Sequence, residues 1–366
     1  MSKKLLIFHP TIAPYRIDFF NDLYKAFETR VCLRYRNLRS QKFDYDKIAA
    51  QFEFEPVYQD SDIKGHSRKF YWKNLDEFNP DVVVVEEFSI GAVYVLMHRF
   101  MKRKKYKVIS TCDDSYNMVA ENNDFSKAHR MARKVVVPRL DGMILVEPMV
   151  ARWYSEHYGK GTFFPIIKPD EKARNEYKRI LPQSLNTAKE HYLFGKRVFL
   201  FVGRLVNIKN IDSAIRAFAK LDQNENVLVI VGDGPEKDNL IALSKEIGTN
   251  TIFTGRLEGD TLYAWYNIAQ VFILPSLQEA FGAVTNEALL AGCKGLISEK
   301  AGSKCLIENG VNGYTISPND INEITEKMLL ISKEIEPLKE VVLKKNEMIH
   351  RYDELIDKTI EYINSI

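Results

Sequence analysis

Short apolar runs separated by longer amphipathic stretches recur along the chain. Residues 5–8 (LLIF), 81–85 (DVVVV), 107–111 (KVIST) and 143–146 (MILV) are brief and rich in aliphatic or β-branched side chains. Unbroken runs of that length are expected of parallel strands covered on both faces. Helical patterns lie between them, over residues 15–27 and over the apolar stretch 90–100, which ends in Lys102, Arg103, Lys104 and Lys105. The alternation lapses over residues 165–196: FFPIIKPD is Pro-rich, and polar, charged sequence follows without a strand pattern. This stretch is expected to connect two domains. A second series then begins, with strand patterns at 198–202, 227–231, 251–253, 271–274 and 295–298, each followed by a helix pattern. Residues 321–366 are expected to be mostly helical.

Two successive β/α series predict an α/β chain of two doubly wound, Rossmann-like domains with parallel sheets. The 366 residues suit two domains. The expected bounds are 1–168 and 169–344, with a last helix over about 345–366 as a candidate to pack back on the first domain. In such sheets ligands bind beyond the carboxyl ends of the strands, so the strand-to-helix loops are where chemistry is expected.

Composition narrows the function only by exclusion. A net charge of +3 is the balance of 52 basic and 49 acidic residues, which argues against dedicated nucleic-acid binding. Cys32, Cys112, Cys293 and Cys305 form no CxxC pair and no metal-ligand spacing with histidine, so reduced thiols in a cytoplasmic protein are expected. The start MSKKLLIF has too short an apolar run for a signal peptide, and no run reaches the length of a membrane span.

Three loops of the second series carry candidate chemistry. In FVGRLVNIKN, strand 198–202 ends at Gly203, and Arg204 and Lys209 stand beside a helix start, where anions are favoured. Asn210 is the expected N-cap of that helix. They read equally as phosphate-gripping cations or as solvated loop charges. Gly232-Asp233-Gly234-Pro235 lacks the third glycine of a dinucleotide fingerprint and is weak alone. In EAFGAVTNE, Glu279 precedes Gly282, and Glu287 lies about one turn into a helix expected to start near Ala283. Gly282 permits close backbone approach, and carboxylates pair well with vicinal hydroxyls. A capped helix start with a loop acid remains the alternative.

The combined set resembles the retaining glycosyltransferases often called family 4. The resemblance rests on FVGRLVNIKNID, IVGDGPE, FTGRL, VFILPSLQEAFGAVTNEALLAGC and ENGVNGYTI, which appear in that family's order across residues 199–316. It is much softer over the first domain. The resemblance implies the GT-B architecture, with two parallel sheets facing a central cleft. It also implies a donor site for a nucleotide-diphosphate sugar, uridine favoured over guanosine, in the second domain. Arg204 and Lys209 would contact the diphosphate. Glu279 would hold sugar hydroxyls, and Gly203, Phe281, Gly282 and Ala283 would offer backbone contacts. Leu257 would lie near the base, and Glu287 would accept from the ribose. The family retains anomeric configuration and usually needs no metal or other cofactor, so the two acids are not read as a hydrolase pair.

The first domain would then bind a saccharide or lipid-linked saccharide acceptor, with Arg16 in HPTIAPYR reaching the cleft. Many relatives carry a histidine after the strand corresponding to KVIST; here Asp113 stands by position in its place. Asp113 reads as an acceptor-handling group or as a helix-capping acid. Lys294 departs from the proline common in relatives. The basic segments 99–107 and 127–139 are candidates for peripheral contact with anionic lipid, or are solvated helix ends. The leading expectation is a hexosyltransferase of surface-polysaccharide or glycolipid synthesis. A GT-B-fold epimerase or phosphorylase and a catalytically silent nucleotide-sugar-binding protein are the alternatives.

Overall fold

The computed structural model describes residues 2–36, 44–63, 65–120 and 126–366. The chain forms two compact units: Met1–Ile166 together with Tyr352–Ile366, and Ile167–Arg351. Each is a doubly wound α/β layer structure around one parallel sheet.

The first unit contains β1 (Lys4–His9), β2 (Glu28–Leu33), β3 (Val57–Tyr58), β4 (Val82–Glu86), β5 (Lys107–Cys112), β6 (Gly142–Leu145) and β7 (Thr162–Phe163). Their order is β3-β2-β1-β4-β5-β6-β7. All neighbours are parallel, with Lys4 opposite Glu28 and Leu5 opposite Val82 on the two sides of β1. The winding therefore reverses between β1 and β4. Leu5, Leu6, Ile7, Val83 and Val84 are fully buried, as double-sided cover requires. Helix Tyr352–Ser365 packs on helix Ile17–Ala26 and β7, and the Tyr352 hydroxyl donates to Asp22 at 2.7 Å.

The second unit contains β8 (Arg197–Val202), β9 (Asn226–Val231), β10 (Thr251–Gly255), β11 (Val271–Leu274), β12 (Lys294–Ser298) and β13 (Gly313–Ile316). The order β10-β9-β8-β11-β12-β13 reverses between β8 and β11, so their loops emerge side by side at one sheet end. Phe199, Phe201, Phe218 and Phe272 fill a core with no exposure.

One expectation is corrected. Residues 165–196 are not a bare connection: they hold helices Asp170–Arg179 and Leu181–Glu190, which pack on helix Gly259–Ile268 of the second unit. Their apolar face is thin (Ala173, Tyr177, Ala188), and that hid them in a charged stretch. Residues 321–366 are mostly helical, as expected, in two separate helices. Between helices Ile321–Glu334 and Tyr352–Ser365 an extended strap crosses the second unit, with Leu338 exchanging backbone bonds with Gly195 and Lys196. Lys344 of this strap is half-buried and donates to the carbonyl of Tyr266 at 3.2 Å. Lys294, the departure from proline, pairs with Glu334 at 2.9 Å.

None of the four cysteines forms a disulfide. Among the described residues no helix is long and apolar enough to cross a membrane.

The two helices of residues 170–190 are tied down by one buried amide. Asn267 donates to the carbonyl of Tyr177 at 2.9 Å and to Ser184 Oγ at 3.1 Å. Asn267→Ala strands both acceptors and is expected to cost about 1–3 kcal/mol. Urea denaturation would show this as a lower midpoint at unchanged slope; an unchanged midpoint would mean that the helices are dispensable.

Candidate functional site

The loop after β8 is shaped by Asn210. It does occupy the position before helix Ile211–Phe218, but not as the expected cap. Its backbone is left-handed (φ 55°, ψ 38°) and its side chain caps no amide. Instead its Nδ2 donates to the carbonyls of Pro275 at 3.2 Å and Pro318 at 2.7 Å, while its Oδ1 accepts from Ser213 Oγ. Asparagine tolerates this conformation better than most residues. The result fastens the loops after β8, β11 and β13 together. The Leu277 amide adds a bond to the carbonyl of Ile208 at 2.9 Å.

This arrangement delivers Lys209 to Glu279, with which it forms an ion pair, both side chains mostly covered. Arg204, earlier in the same loop, is exposed and has no ion pair or side-chain hydrogen bond among the described residues. Gly203 lies against β9: a Cβ on Gly232 would meet the Gly203 carbonyl oxygen at 1.8 Å. The GDGP stretch thus serves close packing of two loops, which explains its glycine without a dinucleotide.

The Gly282 turn has φ 93°, and an added Cβ would meet Leu274, Ser303 and Glu279 within 3.2 Å. Phe281 is buried, so only its backbone is available to a ligand. Helix Val284–Leu290 follows, with Ala283 before it as expected. The amides of Thr285 and Asn286 already donate to the carbonyls of Gly282 and Ala283. Those of Gly282, Ala283 and Val284 donate to no group among the described residues, so the open donors run from the turn to the first residue of the helix.

Glu287 is engaged elsewhere. Its Oε1 accepts from Lys168 Nζ at 2.7 Å and its Oε2 from the Tyr266 hydroxyl at 3.1 Å. Lys168 also donates to the Tyr263 hydroxyl at 3.0 Å. Burial works against the charge on Lys168, but Glu287 and Tyr263 outweigh it and hold its pKa above the ordinary lysine value. Lys168 was missed because it lies in KPD, within the stretch expected to be a connection. Leu257 follows β10, two strands from β8 in the sheet, and is half-buried against the core.

In the first unit the loops after β1, β4 and β5 also meet where the winding reverses. Arg16 and Asp113, both expected at an acceptor site, are brought together at 2.5 Å. Asp113 caps no helix; the Tyr116 amide donates instead to Glu147. The pair lines a polar pocket of about 160 Å³ with His9, Glu86, Glu87 and Thr111. Burial, then Arg16, lowers the His9 pKa to about 4, so the ring is neutral. Arg34 pairs with Glu86 at 2.6 Å. Glu87 has a left-handed backbone (φ 44°) and no side-chain partner among the described residues. His9, Glu86 and Glu87 were overlooked, although two acids at the end of DVVVV were a visible signal. Among the described residues no group of three or more His, Cys, Asp or Glu side chains could hold a metal ion.

Two loop clusters at the winding reversals, one with a Lys–Glu pair beside open amides, invite comparison with known sugar-handling proteins. Residues 186–347 match the family model described as glycosyl transferases group 1. That match covers most of the second unit and none of the first before residue 186. An uncharacterized glycosyltransferase of Methanocaldococcus jannaschii is 37% identical over 35% of this chain and 34% of its own length. The lipopolysaccharide 1,2-N-acetylglucosaminetransferase of Salmonella typhimurium is 29% identical over 66% of this chain and 65% of its own length. The chain thus spans about one to two thirds of these relatives. Among solved structures, Anabaena HepE in complex with UDP and glucose aligns over 100% of both chains with TM-score 0.74 at 16% identity. Sucrose-phosphate synthase from Thermosynechococcus elongatus aligns over 99% and 98% with TM-score 0.69 at 14% identity. The fold is GT-B.

Burial, then the charges of Glu86, Asp114 and Asp113, raises the Glu87 pKa from 4.5 to about 7. Above the lower value the folded chain retains a proton that the unfolded chain has released. The contribution to stability is therefore complete below about pH 4.5 and lost as pH rises through about 7. Glu87→Gln, which cannot titrate, is expected to gain stability relative to the parent between about pH 5 and pH 8. Denaturation at the two pH values checks this; a difference independent of pH would show the carboxyl to be unshifted.

Proposed function

We propose that the chain is a retaining hexosyltransferase that moves a sugar from a nucleotide-diphosphate donor to a saccharide or lipid-linked saccharide. The single observation that carries this reading is the Lys209–Glu279 pair beside the open Gly282–Val284 amides, at the winding reversal of the unit that matches group 1 glycosyltransferases.

The chemistry follows from charge. Without ligand, Lys209 and Glu279 neutralise each other. A bound donor exchanges that pair for two better-matched partners: diphosphate oxygens for Lys209, and sugar hydroxyls for Glu279. Arg204, already unpaired, adds a forked donor to the phosphates and stabilises the charge that develops on the leaving group. The turn amides add fixed donors with no reorganisation. Glu287, oriented by Lys168 and Tyr266, retains lone pairs for ribose hydroxyls. Leu257 borders the base. Gly203 and Ala283 contribute through backbone alone. Transfer proceeds on the face from which the diphosphate leaves, that group taking the acceptor proton, and no metal is required. The pocket around Arg16 and Asp113 receives acceptor hydroxyls.

For the donor, uridine diphosphate sugars are favoured. HepE of the same fold was solved with UDP and with UDP-glucose, although a GDP-mannose-dependent alpha-mannosyltransferase of Corynebacterium glutamicum is 34% identical over 35% of this chain. A thermal-shift screen across UDP- and GDP-sugars is expected to raise the midpoint with a UDP-sugar. Hydrolysis of that donor is then expected to fall roughly 100-fold in Glu279→Ala, the loss of two charge-assisted hydrogen bonds of about 1.5 kcal/mol each. Unchanged hydrolysis would remove Glu279 from the site. Binding without hydrolysis or transfer to any acceptor would favour a silent sugar-nucleotide-binding protein.

A further inference from the structure

Helices Ile90–Met101 and Lys127–Val136 lie side by side on the first unit, where Arg99 donates to the Arg139 carbonyl at 2.7 Å. The outward side of the first helix carries Ile90, Val93, Met97, Phe100 and Met101, at spacings that form one stripe. The second presents Met131 and Val135. Phe100 is 85% exposed and Met131 62%, unusual values for side chains of this size in one neighbourhood. Between the helices runs an open groove of about 1070 Å³, lined by Val93, Met97, Phe100, Met101 and Val135 and edged by Arg99, Arg103 and Lys104.

The charge around this apolar face has one sign. Residues 90–107 and 127–139 contain no aspartate or glutamate. Lys102, Arg103, Lys105, Lys127 and Lys134 have no ion pair among the described residues. Asp141 is paired with Arg99 and Lys107, Asp114 with Arg133 and His129, and Asp76 with His98, while Glu86 and Glu87 line the polar pocket before the first helix, at the end away from Phe100.

We propose that this face docks on an anionic phospholipid bilayer, with Phe100, Met101 and Met131 in the acyl boundary and the lysines at the headgroups. A protein partner fits less well. Protein interfaces are depleted in lysine, whose long chain is costly to order, whereas lysine ringing an exposed aromatic and methionines is the pattern of interfacial helices. The net positive rim selects anionic headgroups, at a contribution that falls within a Debye length. The open groove gives acyl chains or apolar side chains room to enter without moving the core.

Vesicle flotation of the full chain tests this, with phosphatidylcholine vesicles and with vesicles containing phosphatidylglycerol. The chain should float with the second and not the first. Phe100→Ser should weaken binding at least about ten-fold, the loss of one buried aromatic. Lys102→Gln with Lys105→Gln should weaken it about thirty-fold, near five-fold per charge removed. Because all three residues are exposed, thermal midpoints should stay unchanged, which separates lost binding from lost fold. No flotation with the anionic vesicles, equal flotation with both compositions, or full binding by Phe100→Ser would each overturn the proposal. So would sedimentation showing a dimer of the parent chain that Phe100→Ser dissolves, which would make a second copy the occupant.

Discussion

The second unit's site depends on the side-chain amide of Asn210. A left-handed, non-glycine residue costs about 1 kcal/mol or more. Two bonds from the buried Nδ2, to Pro275 and Pro318, compensate for it. Without that link, the β13 loop would lose its tie to the other two, and the β8 and β11 loops would be joined by the Leu277–Ile208 backbone bond and the Lys209–Glu279 pair. With it, Lys209 on the β8 loop and Glu279 on the β11 loop occupy one small volume. The same tie limits how far the loops can separate, so a ligand that displaces the Lys–Glu pair meets both groups already in place. That is preorganisation by a neutral amide, unaffected by pH or salt.

The two acids of EAFGAVTNE, alike in the sequence, have different environments. Glu279 faces one mobile-chain cation that a phosphate can attract away. Glu287 is held by Lys168 and Tyr266 at its oxygens and by Tyr177 at its backbone carbonyl. The two ion pairs are about equally covered, but Tyr266 also donates to Glu287 and Lys168 also donates to Tyr263, so parting the second pair would strand more buried groups. Glu279 therefore suits exchange of partners, and Glu287 suits a fixed acceptor that reads hydroxyl positions. Their spacing places one on the turn and one on the helix, and the open amides run between them, from Gly282 to Val284 at the helix start.

The strands were legible because parallel strands buried on both faces cannot hide: DVVVV and VFILP have no other use for so many β-branched and aliphatic side chains. Strands that are very short or open on polar residues were not. The two-residue strands β3 and β7 carry too little pattern, and β2 opens on Glu28, Thr29 and Arg30, which reads as polar sequence. Loop candidates could be picked out where a cation or acid stood beside glycine, as at Arg204 and Gly282. It failed where a partner came from far along the chain. Lys168 stands 119 positions from Glu287, and no local spacing reports such a pair. Asn210 shows a subtler limit: its position at a helix start was readable, but its use was not, since an asparagine that caps and one that ties loops look the same in sequence.

The first unit places two unlike surfaces on one element. Glu86 and Glu87 end β4 at the polar pocket, and helix Ile90–Met101 starts three residues later. Its apolar stripe begins at Ile90, three residues past Glu87, and ends at Phe100 and Met101 about 16 Å further along the helix axis. A ligand with a hydroxyl-rich head and an apolar tail would find both chemistries along this helix, in that order. A free, water-soluble saccharide would make no use of the stripe. The exposed Phe100 is thus the residue that argues for an acceptor joined to lipid, since nothing in the proposed transfer chemistry itself needs an aromatic ring in water.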